Sequence, residues 1–168
     1  MDELAHVLVK KLTQQHLTIG SCESFTAGQF CSTIADIPGA SAVLKGGLVT
    51  YATELKKTIA HVDVNVIDTY GVVSEECATA MATCAKKVLD VDICVSFTGN
   101  AGPSAWENKP AGLVYCAIAF QDKVSCYELM IDKERNALRG HAVNFMIQKM
   151  ILLLESLERE EMHEEREE

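Results

Sequence analysis

"LTIGSCESFTAG", residues 17–28, decides how the chain is read. Its first half, "LTIGSC", is a short, mostly apolar run that predicts a buried strand. Its second half trades large side chains for Ser24, Thr26, Ala27 and Gly28, and small and polar residues continue at helical spacing to Ile34. "DIPGAS" (36–41) then turns the chain at Pro38 and Gly39. A strand running straight into a helix is a building unit of α/β domains.

Working outward, residues 2–15 place Leu4, Val7, Leu8 and Leu12 on one helical face. "AVLKGGLVTYA" (42–52) reads as a long strand in which Gly46 and Gly47 mark a bulge or a close backbone approach. A further helix is expected near Thr53. Ser74, followed by Glu75 and Glu76, is a helix start: the hydroxyl caps free amides and the acids suit the positive end of the dipole. "VDICVSFT" (91–98) is a strand and "GNAGPSAWENKP" (99–110) a long loop. "AGLVYCAIAF" and "VSCYELMI" form an antiparallel hairpin turning at 121–123. Asp132 is expected to cap a last helix whose apolar positions, Val143 to Leu157, keep the helical period.

Helices before, between and after buried strands predict an α/β fold, a three-layer α/β/α sandwich with a mixed, mostly parallel sheet. The length of 168 residues suits one domain, expected over 1–157, with 158–168 an acidic tail or helix extension.

The net charge of −9 is uneven, since residues 155–168 hold eight acids and two bases, which leaves the body near neutral. A nucleic-acid binder would need a basic surface, so none is expected. The seven cysteines form no CxxC pair and fall in apolar stretches, which argues for a reducing compartment without disulfides or a zinc site. "MDELAHVLVKKL" lacks the features of a signal peptide, and no apolar run reaches the length of a membrane span. A cytoplasmic protein with no membrane partner is expected.

The loops after 22 and after 98 follow strand ends, where such sheets gather ligands. Neither matches a GxSxG elbow, a phosphate loop or a dinucleotide fingerprint, and the five histidines are poorly placed for a Ser-His-Asp triad. Ser24 is then either a nucleophile or a helix N-cap. As a nucleophile it needs a base, and lysine can serve if burial lowers its pKa. Lys56 and Lys57 lie about 100° apart around a helix, so one faces the sheet and the other water. "TGNAGP" (98–103) is a glycine turn whose amides can also cradle an anion.

Taken in order, "ESFTAG", "DIPGASAVLKGGLVTYATELK", "YGVVSEE", "TGNAGP", "KPAGLVY" and "KERNALR" resemble the C-terminal domain of the CinA proteins, which includes stand-alone nicotinamide-nucleotide amidohydrolases. The resemblance covers almost all of residues 5–155. It implies a metal-independent Ser/Lys amidohydrolase, without a cofactor, that converts nicotinamide mononucleotide (NMN) to nicotinate mononucleotide and ammonia in pyridine-nucleotide salvage. By the same analogy Ser24 is the nucleophile and Lys56 the base. Tyr51 and Thr98 add hydroxyls nearby. Thr26, Gly28, Gly99, Asn100 and Ala101 are expected around the substrate, the last three through backbone amides.

Arg139 and Arg135 precede the apolar stripe of the last helix by one and two helical steps, which suits a phosphate. Four features depart from the family pattern: Ala27 replaces a glycine, Asn100 an isoleucine, "SAWEN" (104–108) a glycine-rich stretch, and Glu134 an aspartate. The N-terminal nucleotide-processing domain of larger CinA proteins is expected to be missing. Two other readings stand beside the enzyme: a nucleotide- or partner-binding module that turns over poorly, and an assembly role in which the last helix packs against a second subunit, as in a homodimer.

Overall fold

The computed structural model describes residues 2–167. Helix α1 (Asp2–Gln14) leads into β1 (Ile19–Glu23), α2 (Gln29–Ala35), β2 (Leu44–Val49), α3 (Thr53–Thr58), α4 (Val64–Tyr70) and α5 (Glu75–Leu89). Strands β3 (Ile93–Gly99), β4 (Leu113–Phe120) and β5 (Lys123–Met130) follow, and α6 (Arg135–Glu167) closes the chain. The sheet runs β2-β1-β3-β4-β5. β1 pairs in parallel with both neighbours, whereas β3–β4 and β4–β5 are antiparallel. Four strands therefore share one direction and β4 alone opposes it, which makes the sheet mixed and mostly parallel.

Every residue of β1, and all of β3 but its last, is buried, as strands covered on both faces must be. Along β3, Ile93, Val95 and Phe97 enter the core built with α1, α2 and α6. Cys94 joins the core under α4 and α5, and the Ser96 hydroxyl donates to the Ala78 carbonyl of α5 at 2.6 Å. On β4, Ala117 and Ala119 meet Ala78 and Ala82, so small residues on both sides bring α5 close to the sheet. These two cores on opposite faces are the three layers expected.

The apolar face of α6 is occupied within the chain: Met146, Ile147, Met150 and Leu154 are fully buried. Each contributes about 1.5–3 kcal/mol relative to exposure. The helix continues without a break into the acidic segment. Lys11 of α1 holds both carboxylate oxygens of Glu158 at 3.1 Å, and Gln15 Nε2 donates to the Leu154 carbonyl and to Glu158.

Four expectations are corrected. β2 covers Leu44–Val49 rather than the long strand of 42–52. α6 starts at Arg135 rather than at Asp132, and the Glu134 carbonyl accepts from Leu138 N. α4 was not anticipated: its seven residues, "VNVIDTY", are too few and too β-branched to show a helical period, although Asp63 caps them by accepting from Asn65 N. α2 begins at Gln29, later than Thr26, because Ala27 (φ 49°) and Gly28 (φ 93°) are left-handed. The bulge is where the glycines put it. Ile19 pairs with Leu44 and Gly20 with Gly46, which leaves Lys45 as the extra residue. A Cβ on Gly47 would lie 2.5 Å from Cys31 Sγ and 2.6 Å from Ser21 Oγ.

Candidate active site

Parallel pairing brings the carboxyl ends of β1, β2 and β3 to one edge of the sheet, with Glu23 opposite both Val49 and Phe97. Ser24 N continues the ladder by donating to the Phe97 carbonyl, and Thr50 N donates to the Glu23 carbonyl. Ser24 thus stands one residue past its strand with its backbone still fixed by the sheet. The N-cap position of α2 is Gly28, and the side chain that satisfies the helix's free amides is Glu23, not Ser24. Its carboxylate, 1% exposed, accepts from Phe30 N and Cys31 N at the start of α2 and from the Ser21 hydroxyl. With the capping done by its neighbour, the Ser24 hydroxyl is left for other work.

That hydroxyl meets Lys56. The lysine is 1% exposed, and its Nζ lies 3.0 Å from Ser24 Oγ, 2.6 Å from the Thr50 carbonyl and 3.4 Å from the Tyr51 carbonyl. Lys57 is only partly covered, so the one-face argument resolves in favour of Lys56. Burial lowers the Lys56 pKa from its usual 10.5. The buried thiols nearby do not offset this, because burial also raises Cys22 to about 11 and Cys77 to about 12, which keeps both neutral at physiological pH. A neutral amine has two N–H donors and one lone pair. Nζ donates to two carbonyls and to Ser24 Oγ, and loss of its third proton would turn the last contact into one in which the hydroxyl donates to the lone pair.

A cavity of about 420 Å³ opens beside Ser24, lined also by Phe25, Tyr51, Ala52, Thr53, Gly99, Asn100, Ala101, Trp106 and Arg135. Arg135 spans it, donating to the Tyr51 hydroxyl at 2.8 Å and to the Gly102 carbonyl at 2.7 Å. Not every expected group reaches this space. The Arg139 guanidinium does not line it; Nε and Nη2 donate to the Phe25 and Thr26 carbonyls, so this arginine holds the loop that carries Ser24. The Thr98 hydroxyl is committed to the Val72 carbonyl at 2.6 Å. Asn100 contributes its place in the wall but not a free amide, since its N–H donates to the Leu113 carbonyl and its side chain closes the following turn. Thr26 is fully buried, with its hydroxyl oxygen unpaired, and Gly28 supplies backbone conformation outside the cavity wall.

Two residues of consequence were not singled out beforehand. Glu23 has no role in the sequence reading; the available signal is a carboxylate closing an otherwise apolar strand. Trp106, the chain's single tryptophan, stands in the cavity wall from a loop of turn residues, where a large aromatic has no core to join. All seven cysteines are free. Among the described residues no group of three or more His, Cys, Asp or Glu side chains is disposed to hold a metal ion, and no helix is long and apolar enough to cross a membrane.

Comparison with known proteins follows the same lines. Residues 1–154 match the CinA C-terminal domain. A Lysinibacillus sphaericus protein, provisionally named competence-damage inducible protein, is 43% identical over 155 residues, covering 92% of this chain and 37% of that protein. A Levilactobacillus brevis protein of the same name is 43% identical over 143 residues, covering 84% and 34%. The chain therefore spans little more than a third of the length of these curated relatives. Among solved structures, a CinA superfamily protein from Klebsiella pneumoniae shares the fold with a TM-score of 0.90 at 24% identity, covering 92% of this chain and 98% of that one. A competence/damage inducible protein from Agrobacterium tumefaciens reaches 0.86 at 30% identity, covering 92% and 94%. The strand order, the two helical layers and this match over nearly the whole chain lead to one conclusion: the chain belongs to the CinA C-terminal domain family.

Proposed function

We propose that the protein is an amidohydrolase that cleaves the carboxamide of NMN through Ser24 and Lys56, releasing ammonia and nicotinate mononucleotide. The observation that carries this reading is the buried Lys56 amine 3.0 Å from the Ser24 hydroxyl, at the wall of a cavity large enough for the nicotinamide end of a nucleotide. Neutral Lys56 accepts the Ser24 proton as Oγ attacks the amide carbon, and the resulting ammonium returns that proton to the departing nitrogen. Water then attacks the nicotinoyl ester, giving a proton to Lys56, which passes it to Oγ as Ser24 leaves as a hydroxyl and Lys56 returns to the neutral amine.

Oxyanion donors are needed beside the nucleophile. The amide of Phe25, a residue of the cavity wall, offers one: it forms no backbone hydrogen bond among the described residues, and Arg139 fixes the carbonyl of the same residue. Arg135, exposed at the cavity wall, offers its remaining N–H groups to the phosphate. Purified protein is expected to release ammonia from NMN, and Ser24→Ala to release none above background. Saturable NMN binding without ammonia release by the wild type would replace this reading with that of a nucleotide-binding module.

A further inference from the structure

The loop that carries Trp106 is built with more care than a solvent-exposed tryptophan would require. Trp106 N donates to the Lys109 carbonyl and Lys109 N to the Trp106 carbonyl, while Glu107 (φ 53°) and Asn108 (φ 59°) between them are both left-handed. This is a two-residue turn of the type I′ class, one of the commonest hairpin connections. Its tip is tied to the α4–α5 turn: the Glu107 carboxylate accepts from Val72 N and Val73 N, and Lys109 Nζ donates to the Tyr70 and Val73 carbonyls. Gly71 makes room for this strap, since a Cβ there would sit 2.7 Å from a Glu107 oxygen. On the inner side Asn100 Nδ2 donates to the Ser104 and Lys109 carbonyls. Yet Trp106 is 48% exposed, in the wall of the cavity that holds Ser24.

An anchored backbone presenting an unsatisfied aromatic face is a platform for a flat ligand. A carboxamide placed on Ser24 Oγ leaves its ring in the same cavity, and a ring quaternised at nitrogen is attracted to the negative face of an indole. We infer that Trp106 is a specificity-determining residue that stacks on the cationic pyridinium ring of the substrate, with the 104–109 loop pre-ordered to hold it there. The inference rests on the proposed reaction for its choice of ring. Its physical content is separate: the indole discriminates between ligands with and without a flat cationic ring.

Because Trp106 is the only tryptophan, the emission of the whole protein reports this one position. The Ser24→Ala variant, titrated with NMN, is expected to show saturable quenching, and ribose 5-phosphate, which lacks the ring, none. In steady-state assays Trp106→Ala is expected to raise the KM for NMN about 3- to 30-fold with kcat changed little, and Trp106→Phe to recover most of the loss. Ammonia release that survives with no quenching and an unchanged KM in Trp106→Ala overturns the stacking role while leaving the reaction intact. Quenching without ammonia release does the reverse, and absence of both overturns both.

Discussion

The loops that leave β1 and β3 end at the same cavity but are held there by opposite means. The first, residues 24–28, is fixed from beneath by a buried carboxylate on Glu23 and from the side by Arg139, and Ser24 and Thr26 within it are buried. The second, residues 100–112, is strapped from outside by Glu107, which is exposed, and by the partly covered Lys109. The difference teaches where rigidity must be unconditional. A nucleophile tolerates little displacement from its base, whereas a ring-stacking face can shift and still cover its ligand.

The largest expected effect tests the dyad at the first loop. Lys56→Met is expected to lower kcat at least about 10³-fold while Lys57→Met stays within about twofold, because nucleophile and base act as one unit. Equal losses in the two variants would detach the chemistry from the buried lysine. Next comes stability. Glu23→Ala removes three hydrogen bonds from a buried carboxylate and is expected to cost about 2–4 kcal/mol, against about 1 kcal/mol for Glu107→Ala. Denaturant titration of the pair gives the ratio directly, and similar values would erase the contrast between the loops.

Arg135 joins the second loop to the cavity, and Arg135→Ala is expected to lower kcat/KM for NMN roughly 10- to 150-fold. Nicotinamide riboside, without a phosphate, is expected to be a poor substrate and almost unaffected by the change. A common factor on both substrates would make Arg135 a purely structural brace. The smallest effect is on pH. Because burial lowers the Lys56 pKa, the unfolded chain binds that proton more tightly between the lowered value and 10.5. Wild-type stability relative to Lys56→Met is therefore expected to rise with pH through that window, with the full penalty below it. Over the lower part of the same window kcat/KM rises as the base becomes neutral. Flat profiles in both measurements would show that Lys56 stays charged throughout.

The legible parts of this molecule are those in which short-range chemistry and long-range packing agree. The 17–22 run became a strand, Ser74 capped its helix by accepting from Cys77 N, and the hairpin turned at the expected residues. Lys56 was legible as half of a pair; only folding shows which of two adjacent lysines is covered. What could not be read depended on partners far along the chain. Arg139 finds carbonyls 113 and 114 residues away, so its helical position pointed inward correctly but its task did not follow from it. Glu23 and Trp106 were misweighed for a related reason: a carboxylate buried by a helix it caps, and an aromatic exposed by a turn that holds it, both invert the usual sorting of polar and apolar side chains.

The extra residue at Lys45 has a consequence for the outer margin of the sheet. β2 is an edge strand, and an edge of regular, unpaired backbone is a template on which another chain can add a strand. Here the ribbon loses its register after Leu44, puts an exposed lysine at the break, and continues through two glycines. A flat intruder would find neither the straightness nor the side-chain surface that edge-to-edge pairing needs. The second of those glycines, Gly47, is also what lets β2 sit tightly against Ser21 and Cys31, so the inner packing of the strand and the bareness of its outer margin have one cause.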